Sequence, residues 1–134
     1  MKKGLVIFLG VIIVIVIVAV IAMISFNKQY QDLLKEVDME YSEIDNIDLT
    51  QINDGEYSAR FGKIPVIADL KVKVEDNRIV SITMVEQSSG PGYEALETID
   101  RIIEKQQPKV DVVTGATTSS KVIMIAVKKA LNQE

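Results

Sequence analysis

Asp111-Val112-Val113-Thr114-Gly115-Ala116-Thr117-Thr118-Ser119-Ser120 stands between a short β-branched run, Val110 to Val113, and a closing amphipathic segment, Lys121 to Leu131. The stretch predicts a strand, a glycine turn and a hydroxyl-rich helix start. A helix start offers unpaired backbone N–H groups and the positive end of the helix dipole. Gly115 has no Cβ, so a ligand or another backbone can approach closely there. Four hydroxyls, Thr117 to Ser120, crowd the same turn, which is the profile of a phosphate site. Composition alone also allows a plain reading, because Thr and Ser are favoured N-caps and Gly is a common turn residue. A nucleotide-binding Walker A loop is excluded, since the second Gly and the Lys of G-x-x-x-x-G-K-[S/T] are missing.

Composition removes several chemistries. The 134 residues contain neither Cys nor His. That excludes disulfides, thiolate catalysis, iron–sulfur clusters, His-based zinc or haem ligation and a Ser-His-Asp triad. No spacing suggests a metal site of any kind. Two of the 15 basic residues, Lys2 and Lys3, open the chain; residues 27–134 hold the other 13 against all 19 acidic ones, a net charge of −6. So acidic a domain is unsuited to nucleic acid.

Outward from the motif, the N-terminus is the other decisive stretch. Gly4 to Phe26 holds 23 residues without a charge, mostly Val and Ile. As a helix it would be about 35 Å long, against a hydrocarbon core of roughly 30 Å. It carries no polar stripe, and lipid leaves its backbone no option but a helix. The segment is longer than a signal-peptide core and ends in only a weak Val-x-Ala site, so an uncleaved anchor is expected. Lys2 and Lys3 before the span balance Lys28 and Lys35 after it, and the free amine tips the N-terminus inward. Residues 1–3 are then a cytoplasmic start and 4–26 the anchor. Residues 27–48 have helical spacing (Tyr30, Leu33, Leu34, Val37, Tyr41, Ile44) that suits a stalk or a helix packed on the domain. Residues 49–134 form the domain.

Within that domain, Asn53 to Tyr57 is turn chemistry entering a strand, followed by alternation at Tyr57, Ala59 and Phe61. Ile67 to Glu75 alternates cleanly, with Ala68, Leu70, Val72 and Val74 on one face. Asp76-Asn77 makes a tight hairpin, and Ile79 to Val85 returns with Val80, Ile82 and Met84 on one face. Ser88 to Tyr93 reads as a loop. Glu94 to Gln107 reads as a helix with a Leu96, Ile99, Ile102, Ile103 stripe, ended by Pro108. The closing helix turns Val122 or Ile123, Ala126, Val127, Ala130 and Leu131 inward. The fold class is α+β: a small antiparallel sheet of about four strands with two packed helices, after one transmembrane helix.

Asp111-x-x-Thr114-Gly115-Ala116-Thr117 resembles the flavinylation motif D-x-x-[S/T]-G-A-T of the FMN-binding domain family, at every specified position. Four further features are similar to that family: Asp54-Gly55-x-Tyr57, the hairpin around Asp76-Asn77, Gly90-Pro91-Gly92 before a helix, and the closing Ala126-Val127-x-x-Ala130-Leu131. The resemblance covers roughly residues 50 to 132. It implies FMN held covalently by a phosphoester on Thr117 and installed from FAD by a flavin transferase. It also implies a domain on the extracytoplasmic side of the cell membrane. Thr114, Gly115, Ala116 and Asp111 complete the motif, and Thr118 is the alternative acceptor. Gly90, Gly92 and Tyr93 are candidate flavin contacts. Asp111 either orients the turn or serves the transferase, and an exposed strand residue with no role is the alternative.

The expected function is a membrane-anchored electron carrier, with membrane redox proteins, quinone or extracellular acceptors as partners. No substrate site marks it as a self-contained enzyme, and no catalytic residue is assigned. Two other readings stand beside it: an anchored sensor or adaptor that binds FMN or another phosphate ligand without a covalent bond, and a structural envelope domain.

Overall fold

The computed structural model describes residues 2–90 and 94–133. By its internal contacts the chain divides into two units, residues 1–32 and 33–134. In the first, helix α1 (Lys2–Ser42) begins. Every described side chain from Lys2 to Gln29 is exposed, the Val and Ile run included. The helix is long and apolar enough to cross a membrane. An apolar surface left uncovered by protein is what lipid accommodates.

The second unit begins with the remaining turns of α1, on which Leu33 and Val37 are buried. A 3₁₀ turn (Leu49–Gln51) leads to three antiparallel strands, β1 (Gly55–Lys63), β2 (Val66–Glu75) and β3 (Arg78–Ser89), in the order β1-β2-β3. Two helices follow, α2 (Glu97–Lys105) and α3 (Thr117–Asn132). The α+β class holds with three strands instead of four. The expected fourth strand, Val110 to Val113, joins no ladder.

The alternation of β2 survives intact: Ala68, Leu70, Val72 and Val74 are at most 1% exposed. Asp76 and Asn77 both have positive φ, 49° and 60°, the conformation a two-residue hairpin needs. The Asp76 N–H donates to Asp54 Oδ1 at 2.9 Å. Strand β3 departs from the expected phase. Register shifts place Val80 and Val85 as extra residues opposite β2, so Ile79 and Ile82 share the buried face and Val80 turns outward. An extra residue flips the pleat by one step, which simple alternation cannot foresee. β3 also runs through Ser88 and Ser89, which pair with Ile67 and Val66 instead of forming a loop.

The two-residue turn between β1 and β2 is Ile64–Pro65, a cis peptide. Ser88 Oγ donates to the Pro65 carbonyl at 2.6 Å, closing the far end of β3 onto this turn. On the outer face of the sheet, Arg60 pairs with Glu86 and Lys71 with Glu56, a solvated ladder of charge.

Helix α3 lies against β1 and β2, and α2 packs on α3 and β3. Residues Val122 to Val127 are all buried, so α3 is apolar on every side here and not on a single inward face. That pattern marks a helix covered all round. Ion pairs Lys121–Asp38 (2.7 Å), Lys129–Glu40 (3.3 Å) and Lys63–Glu36 (2.6 Å) tie the end of α1 to α3 and β1. Helix α2 is shorter than expected. It stops at Lys105, where Gln106 takes a left-handed conformation (φ 59°) and its N–H closes on the Ile102 carbonyl.

Candidate functional site

Residues 110–116 carry no ladder, so their backbone groups find partners elsewhere. The Arg101 guanidinium, on α2, donates from Nη1 to the carbonyls of Asp111 (2.9 Å) and Val112 (3.0 Å). The same guanidinium reaches Glu97 one turn back on α2, Nη2 to Oε1 at 2.7 Å. Ser120 Oγ accepts from the Val113 N–H (3.0 Å) and donates to the Ala116 carbonyl (2.7 Å). The Ala116 N–H returns to the Val113 carbonyl at 2.9 Å. Gly115, at φ 80°, makes the reversal inside this loop, a backbone conformation that L side chains rarely adopt.

The loop delivers the chain into α3 at Thr117. Ala116 is the N-cap, and no side chain caps the helix. The plain reading of the stretch, a helix capped by a Thr or Ser hydroxyl, is therefore not met. The first-turn N–H groups keep their capacity for an outside acceptor. No acidic residue occupies that turn to neutralise the dipole.

The four hydroxyls separate by burial. Thr117 is exposed, Thr118 half-buried, and Ser119 and Ser120 buried. Ser120 is committed to holding the loop. Thr114 and Gly115 are exposed, and Ala116 is buried beneath them. Asp111 is exposed, and its carboxylate makes no hydrogen bond or ion pair among the described residues. The loop and the first turn of α3 carry Asp111, Thr114, Gly115, Ala116, Thr117 and Thr118 in succession.

The other candidates stand apart. Gly90 has φ 58°, and a Cβ there would press on Pro65 at 2.9 Å, so packing on the β1–β2 turn already accounts for this glycine. Gly92 and Tyr93 lie outside the described residues. Two buried polar atoms, Gln87 Nε2 near the end of β3 and Thr98 Oγ1 in α2, have no partner among the described residues. Such atoms are normally satisfied by water or a ligand. A polar cleft of about 360 Å³ runs between residues 43–52 and the end of α3, and no motif residue lines it.

Sequence reasoning missed Arg101. The Glu97–Arg101 spacing signalled only a helix-surface pair. Nothing in the sequence said that the guanidinium would replace strand neighbours for Asp111 and Val112.

Residues 67–132 match the FMN-binding domain family. The match starts inside β2, so Asp54-Gly55-Glu56-Tyr57 and β1 lie outside it, whereas the resemblance was expected from about residue 50. No curated protein matches. Among solved structures, the crystal structure of the CPE2226 protein from Clostridium perfringens is similar, with 25% identity and a TM-score of 0.50. The alignment covers 61% of this chain and 88% of that one.

Proposed function

Residues 67–132 belong to the FMN-binding domain family, and from that we propose that this chain is a membrane-anchored electron carrier with FMN esterified to Thr117 Oγ. The observation that carries the reading is the sorting of hydroxyls. Thr117 alone of the four is exposed, at an uncapped helix start, after a glycine turn locked from below by Ser120 and from the side by Arg101.

Those residues fit a phosphate ester. Thr117 supplies the oxygen, and the first-turn N–H groups and the dipole favour the remaining negative charge by about 0.3–1 kcal/mol. Gly115 leaves room above the turn for a transferase. In attachment, the Thr117 Oγ–P bond forms and the pyrophosphate bond of FAD breaks. AMP leaves, and the hydroxyl proton passes to a base of the transferase. The added mass is FMN less one water. Asp111, exposed and unpaired by its carboxylate, is a group the transferase can read. Bound FMN carries electrons one or two at a time through its ring.

The covalent bond has a physical rationale. The domain belongs, in this reading, outside the cytoplasm, where free FMN is scarce, and each tenfold shortfall in ligand costs about 1.4 kcal/mol of occupancy. The anchor, α1, keeps the carrier at the membrane, where membrane redox proteins, quinone or an extracellular acceptor exchange electrons with it.

The test is a denaturing gel of the full chain made with and without a flavin transferase. A band that fluoresces after denaturation, only with the transferase, is expected. Colour lost on denaturation would mean a non-covalent binder, and a colourless protein would contradict flavin carriage.

A further inference from the structure

Residues 27–134 are acidic, yet beside the motif helix two ammonium groups gather on one aromatic ring. Lys109 Nζ and Lys121 Nζ each lie 4.9 Å from the ring centroid of Tyr41, near the end of α1. Lys109 Nζ also donates to the Ile44 carbonyl at 3.3 Å. Lys121 Nζ meets Asp38 Oδ1 at 2.7 Å. The lysine side chain is 21% exposed and the aspartate 69%, so the carboxylate is well hydrated and the ammonium is sheltered on the ring.

Lys121 lies four residues beyond Thr117 on α3, so the two side chains share one helix face, one turn apart. Helical side chains lean toward the N-terminus, so a lysine at this position that leaves Tyr41 has the reach to turn toward the start of α3. The first turn holds no acidic residue to compete. An ion pair whose carboxylate stands in water, as that of Asp38 does, is weak and easily exchanged. A phosphate oxygen close to the helix start is a stronger partner for an ammonium.

We propose that Lys121 is the counter-charge for the flavin phosphate at Thr117, held ready on Tyr41 and released by Asp38 when the phosphate arrives. This rests on the function proposed above. Lys121 guides the anionic flavin nucleotide to the hydroxyl and then neutralises the ester. The ring of Tyr41 keeps the ammonium in place before loading, and the hydrated Asp38 carboxylate is only a weak partner that the phosphate displaces.

The experiment compares Lys121→Gln, Lys121→Arg and Asp38→Asn in the full chain in detergent, loaded by purified flavin transferase with FAD. Loading is followed by intact mass, and urea midpoints are taken on the unloaded proteins. Lys121→Gln and Asp38→Asn break the same ion pair, so a purely structural role lowers both midpoints and both loading rates alike. The proposal expects similar midpoints, but loading slowed about tenfold only in Lys121→Gln, the worth of one charge-assisted hydrogen bond. Lys121→Arg should restore the rate and Asp38→Asn should keep it. Wild-type loading rates in Lys121→Gln, or equal slowing in Asp38→Asn, overturn it. If the wild type itself fails to load, covalent attachment fails and Lys121 is judged separately, by fluorescence titration with FMN and riboflavin. FMN must then bind wild type more tightly than riboflavin does and lose that margin in Lys121→Gln; equal affinities overturn the assignment.

Discussion

Ser120 shows how one side chain can set the shape of a turn. Its buried hydroxyl makes two hydrogen bonds across the loop, one given and one taken. Ser120→Ala leaves the Val113 N–H without its partner, and urea denaturation should show a loss of about 1–3 kcal/mol. Thr118, by contrast, makes no such bond, and Thr118→Ala should leave both stability and loading near wild type. Asp48 gives a residue-scale prediction in pH. The Thr50 hydroxyl, then the Thr50 N–H, holds its carboxyl below the ordinary carboxylate value. A lowered folded value means stability present above the ordinary range and lost as pH falls through the lowered value. An NMR titration should find Asp48 still ionised where free aspartate is half protonated, and Thr50→Ala should return it toward the ordinary value. At this scale the sequence showed the motif but not the burial that separates Thr117 from Ser119 and Ser120. Burial depends on which face of α3 the rest of the fold covers.

The elements were legible where local pattern and tertiary contact agreed. β2 alternates because one face meets α3 and the other meets water, and the Asp76-Asn77 turn follows from residues that tolerate positive φ. The fourth strand failed for a definite reason. Val110 to Val113 has strand composition, but Arg101 and Ser120 satisfy its backbone in place of a neighbouring strand. Side-chain substitutes of this kind recur. Gln106 accepts from the Ile79 N–H and donates to the Ile79 carbonyl, and Gln107 does the same to Ile47, each imitating a strand neighbour. Gln106→Ala should unpair the start of β3 and cost about 1–3 kcal/mol, read as faster amide exchange at Ile79. Gly62 is the least replaceable backbone position in β1. Its φ is 97°, and a Cβ would collide with the Val66 carbonyl oxygen. Gly62→Ala should destabilise the domain by more than about 1 kcal/mol in urea, and an unchanged midpoint would show that the β1–β2 end can relax.

At the scale of the whole molecule, one chain combines a helix able to cross a membrane with a stretch that matches the FMN-binding domain family. The apolar run was legible because 23 uncharged residues leave little else to read. The burial of Leu33 and Val37 in the second unit was not, since a 3.6-residue period fits a free stalk and a packed helix equally. The full chain should stay with membranes through high salt and alkaline carbonate and leave only in detergent, and release by salt would contradict the anchor. The central claim is the ester on Thr117. Its most direct test is the intact mass of the full chain made with an active flavin transferase, for wild type and Thr117→Ala. The account predicts added mass equal to FMN less one water in wild type and none in Thr117→Ala. Wild-type protein without added mass, or Thr117→Ala that still carries it, would contradict the account.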